Sequence, residues 1–149
     1  MPRTRRRWSS RCRRDCSSPG RWRESSTATS LVVEDLSLGA PLARVADASV
    51  EDGVAALDAA TAAAADWART PARERGEVLR RAFEMVTARI EEFALLITLE
   101  MGKPHAESRA EVTYGAEFLR WFSEEAPRIA GRYGVSPVGG TRLVTTKRP

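Results

Sequence analysis

Residues 96–134 read LITLEMGKPHAESRAEVTYGAEFLRWFSEEAPRIAGRYG, and the break in the middle of this stretch organises the chain around it. Gly102 is placed to end one helix and Pro104 follows it, because glycine accepts the left-handed conformation of a helix C-terminus and proline cannot continue the helix. A new helix is expected over 106–129. Val112, Ala116, Leu119, Phe122 and Ala126 recur on one side of it, and Tyr114, Phe118 and Trp121 form a second stripe. Two apolar sides predict two neighbours.

Working upstream, Thr70 and Pro71 are a helix cap and a proline at the first helical position. Leu79, Phe83, Val86 and Ile90 repeat at helical spacing, and the pattern continues through Phe93, Leu96, Ile97 and Leu99 to Gly102, which predicts one long helix. Glu77 stands four residues before Arg81, the orientation in which a surface pair contributes a few tenths of a kcal/mol. Ahead of this helix, Ser49 with Glu51 and Asp52 forms a capping-box-like start. Val50, Val54, Leu57, Thr61, Ala64 and Ala68 then line a face of small apolar residues, expected to pack closely against another helix.

The runs 31–33 and 42–45, separated by a segment with Gly39 and Pro41, predict a strand pair. Downstream, GGTRLVTTKRP offers a double-glycine turn and a β-prone run over 143–146, for which no return strand is expected. The residues therefore predict a mostly α-helical chain: three main helices, an N-terminal β-strand pair and a C-terminal β-strand.

Composition bounds what such a chain can be. Of 149 residues, 42% are hydrophobic and 30% charged, the profile of an ordinary soluble protein, and no apolar run approaches the roughly 20 residues of a membrane span. The net charge of +4 is unevenly spread: residues 1–23 hold nine of the 24 bases and one of the 20 acids, so the remainder is mildly acidic. Residues 1–19 have almost nothing apolar to bury and no period, which predicts a disordered Arg-rich leader. Their Arg- and Ser-rich character is also that of a transit peptide, but only Trp8 offers an apolar face. Any nucleic-acid contact would have to be made by this leader, by charge and without sequence preference. Cys12 and Cys16 lie in it with no histidine or carboxylate cluster beside them, and two cysteines without a secretory segment point to the cytoplasm.

Motifs that would announce chemistry are missing. Neither GxGxxG nor GxxxxGK[ST] occurs, and Gly102-Lys103 precedes a proline rather than following a phosphate loop. His105 is the only histidine; it falls just after the helix stop and reads as an exposed loop residue with no second imidazole for a relay or a multi-histidine metal site. Glu91-Glu92 and Glu124-Glu125 are adjacent on helices and diverge by about 100 degrees, so they read as solvated faces rather than substrate clamps.

The order of these features, with GRWRESS at 20–26, LVVEDLSLGAPLARVADAS at 31–49, the 96–134 stretch and GGTRLVTTKRP at its end, resembles the opening part of the aldehyde dehydrogenase superfamily, with the flavour of the bacterial succinate-semialdehyde dehydrogenases. Members usually carry proline and threonine at Leu36 and Leu38, and leucine at His105. The resemblance implies an α/β fold of which residues 20–149 would be the N-terminal part, an incomplete cofactor-binding domain. It implies NAD(P)-dependent oxidation of an aldehyde, succinate semialdehyde in particular, to the carboxylic acid, with a catalytic cysteine as nucleophile and a glutamate that activates water.

In the family those groups follow the strand equivalent to 142–147, so the resemblance assigns no catalytic and no cofactor-binding residue here and predicts a truncated, inactive fragment. NAD or NADP would serve the full-length family, the substrate is a small-molecule aldehyde, and the family is homo-oligomeric, with the fragment expected to self-associate. Glu100, with backbone carbonyls around Val33, is the one candidate ligand, for a structural monovalent cation. A different class of protein, a helical binding module whose basic tail engages nucleic acid or an acidic partner, is the alternative reading.

Overall fold

The computed structural model describes residues 16–18 and 21–147, with side chains from Glu24 to Lys147. The expected disordered leader lies outside the described residues except for a short strand, β1 (Cys16–Ser18), which pairs antiparallel with β2 (Arg21–Arg23).

The expected strand pair is present as β3 (Ser30–Asp35) and β4 (Ala40–Ala46), antiparallel from Ser30↔Ala46 to Asp35↔Ala40. Its register slips after Val33↔Ala43 to Glu34↔Pro41, a bulge at the proline, which has no N–H for the ladder. The turn is built by Asp35, which is 1% exposed: its carboxylate accepts the Ser37 amide at 3.0 Å, and its carbonyl accepts the amides of Leu38 and Gly39.

Helix α1 (Val50–Arg69) opens with the expected capping box. Ser49 Oγ accepts the Asp52 amide at 3.2 Å, and Asp52 Oδ2 accepts the Ser49 amide at 3.0 Å. The same carboxylate oxygen takes the Ser26 amide and the Ser26 hydroxyl, both at 3.0 Å, so one buried acid fastens the segment before β3 to the helix start. The face expected to pack on another helix is open instead: Val50, Val54 and Leu57 are 79%, 53% and 66% exposed. A helical period marks which side is apolar, but says nothing about whether these residues also supply its neighbour.

The single long helix expected up to Gly102 is two. Helix α2 (Ala72–Ala88) ends at Arg89, which leaves helical geometry at φ −119° and ψ 22°. Helix α3 (Ile90–Met101) starts there, with the Glu92 and Phe93 amides bonded to the Arg89 carbonyl. The apolar period runs through the break because both pieces press on the same partner, α4 (His105–Glu125), while hardly touching each other. The described residues thus form four α-helices where three are expected. Glu77 pairs with Arg80 rather than Arg81, since Arg80 reaches Glu77 one way and Glu84 the other.

Helix α4 begins and ends slightly before the expected limits. A 3-10 turn (Ala126–Arg128) containing Pro127 follows it. The C-terminal strand, expected without a partner, is one arm of a hairpin: β5 (Arg132–Val135) pairs with β6 (Arg142–Thr145). The connecting turn holds Gly139 and Gly140 at φ 78° and 73°, and the Ser136 amide bonds the Thr141 carbonyl at 2.8 Å. The double-glycine turn is where the sequence predicts it, and RYGV, for which no strand is expected, forms its first arm.

The core lies between α4 and the pair α2, α3, and is made of small residues: Gly76, Ala94, Val112, Ala116 and Ala126 are buried together with Ser108. Small side chains let the helices approach closely. At Gly76 the approach is limiting, since a Cβ there would lie 2.7 Å from the Ser123 carbonyl oxygen.

Candidate functional site

Two neighbouring features of α4 bring polar and apolar side chains together: the elbow by which α3 leads into it, and the aromatic face along it.

At the elbow, Gly102 adopts φ 69° and its amide closes on the Thr98 carbonyl at 2.9 Å, the left-handed stop expected of this glycine. Ser108, wholly buried, joins the two sides: its Oγ lies 2.9 Å from Thr98 Oγ1 and donates to the Pro104 carbonyl at 3.3 Å. The Leu36 amide donates to the Leu99 carbonyl at 3.1 Å, which fixes the β3–β4 turn against the end of α3. Glu100, the proposed cation ligand, is exposed at the penultimate position of α3, one residue beyond that link. Among the described residues no group of three or more His, Cys, Asp or Glu side chains is gathered to hold a metal ion.

Outside the elbow runs a charged band. Lys103 pairs with Glu111, and Glu91 accepts from Arg109 Nε at 2.7 Å while its other oxygen stands 3.6 Å from His105 Nε2. His105 is therefore not a loop residue but the first residue of α4, half exposed beside a carboxylate. The adjacent acid pairs do diverge: Glu92 turns to Arg89, away from Glu91, and Glu124 and Glu125 reach Arg120 and Arg128 separately. These are exposed pairs, each contributing between nothing and about 1 kcal/mol.

Along α4 the two expected stripes have different fates. Val112, Ala116 and Ala126 are buried against α2 and α3. Phe122, expected with them, is 54% exposed, and it joins Tyr114, Phe118 and Trp121 on the open side. Tyr114 and Phe118 meet edge to face with centroids 5.1 Å apart, and these four rings with Glu117 line a shallow depression of about 300 Å³. The arrangement offers apolar docking area flanked by ion pairs. Sequence reasoning missed the Thr98–Ser108 link and the reach of Asp52. Their signals were a serine four residues after Pro104 and a cluster of hydroxyls ahead of the cap.

No helix among the described residues is long and apolar enough to cross a membrane. The model of the aldehyde dehydrogenase family matches residues 22–149. The chain is 61% identical over 108 residues to a succinate-semialdehyde dehydrogenase of Paenarthrobacter nicotinovorans, covering 72% of this chain and 24% of that protein. It is 34% identical over 130 residues to the succinate-semialdehyde dehydrogenase [NADP(+)] of Escherichia coli K12, covering 87% of this chain and 27% of the relative. Among solved structures, a succinate-semialdehyde dehydrogenase from Burkholderia pseudomallei superposes with a TM-score of 0.80 at 36% identity, over 84% of this chain and 26% of that one. The chain thus spans about a quarter of the length of the relatives it matches. With the family model matching residues 22–149 of this chain, and the fold superposing on that solved relative, the chain belongs to the aldehyde dehydrogenase family.

Proposed function

We propose that this chain serves an NAD(P)-dependent enzyme that oxidises an aldehyde, succinate semialdehyde in particular, to the carboxylic acid. The observation that carries the reading is the 61% identity to a succinate-semialdehyde dehydrogenase. In this reading the chain's own contribution is structural: a helical layer of the cofactor-binding domain, presenting the aromatic side of α4 to be covered. A cytoplasmic location belongs to the same proposal.

We assign no dinucleotide contact to the described residues. The described residues carry no glycine-rich phosphate turn ahead of a helix, and the N-terminus of α1 already holds the Asp52 carboxylate. No step of the oxidation is therefore routed through these side chains, and none is assigned a catalytic role. Purified chain should give no aldehyde-dependent reduction of NAD or NADP. Activity that co-elutes with the chain, whether or not it survives Cys12→Ser and Cys16→Ser, would show that the assignment of roles is wrong. Glu100 is proposed as the one ligand-bearing residue, toward a structural monovalent cation. A Tm that does not change when choline chloride is replaced by potassium chloride would remove it.

A further inference from the structure

We draw no further inference here: the strongest candidate, the exposed aromatic face of α4 formed by Tyr114, Phe118, Trp121 and Phe122, carries nothing because no observation on the molecule shows what covers it.

Discussion

The hydrogen that stands in place of a methyl at Gly76 sets how closely α2 and α4 approach. An added Cβ meets the Ser123 carbonyl oxygen at 2.7 Å, and that oxygen belongs to helix backbone that cannot swing aside. Alanine is the better helix former by about 1 kcal/mol, yet forcing volume into a close-packed contact costs about 1–3 kcal/mol. Gly76→Ala should therefore be destabilising on balance. Gly115, within α4, has nothing within 4 Å of the same added atom, so Gly115→Ala should stabilise by up to about 1 kcal/mol. Urea midpoints followed by helix signal decide the matter: the two variants should move in opposite directions, and a common direction would mean that α2 and α4 do not pack as described. The sequence shows both glycines inside helices but not which one faces a neighbour, because that depends on a contact between residues 47 positions apart. Ser49 and Asp52, by contrast, were legible, since a capping box is complete within four residues.

At the scale of elements, features governed by neighbours in the chain were readable and those governed by distant ones were not. The Gly102 stop was predicted from glycine's tolerance of positive φ, and the β3–β4 pair from two β-prone runs around Gly39 and Pro41. The Arg89 break was invisible because α2 and α3 bury their apolar sides on the same helix, so the period never lapses. The β5 arm was missed for the opposite reason: RYGV is short, carries a glycine and is wholly exposed, which leaves no alternation to detect. The aromatic stripe of α4 was seen in the sequence, and its fate was settled only by packing. With Phe118 and Trp121 48% and 59% exposed, replacing both with glutamine should leave far-UV circular dichroism unchanged and cost no more than about 1.5 kcal/mol, the upper value of the Tyr114–Phe118 ring contact that it removes. The same double variant should bind less hydrophobic dye and sediment closer to monomer than the parent, because it removes the centre of the exposed apolar patch. Unchanged dye binding and sedimentation would show that this face drives no association.

On the scale of the whole molecule, the described residues form a helical layer with a small-residue core between α4 and the α2–α3 pair. Hairpins precede and follow the helices along the chain, and the apolar faces of α1 and α4 are turned to solvent. Open apolar faces of this kind are unusual on a monomeric surface. The family assignment and the proposed activity meet at this point: if the layer is interchangeable with its counterpart in an active succinate-semialdehyde dehydrogenase, its faces must be accepted by the rest of that enzyme. The most direct measurement replaces the matching segment of the Paenarthrobacter nicotinovorans enzyme with the 108 residues of this chain that align with it and follows reduction of NAD or NADP with succinate semialdehyde. The chimera should be soluble, and its kcat/KM should fall within about tenfold of the parent, a transition-state difference of about 1.4 kcal/mol. A chimera that folds and assembles like the parent but does not oxidise succinate semialdehyde would contradict the account.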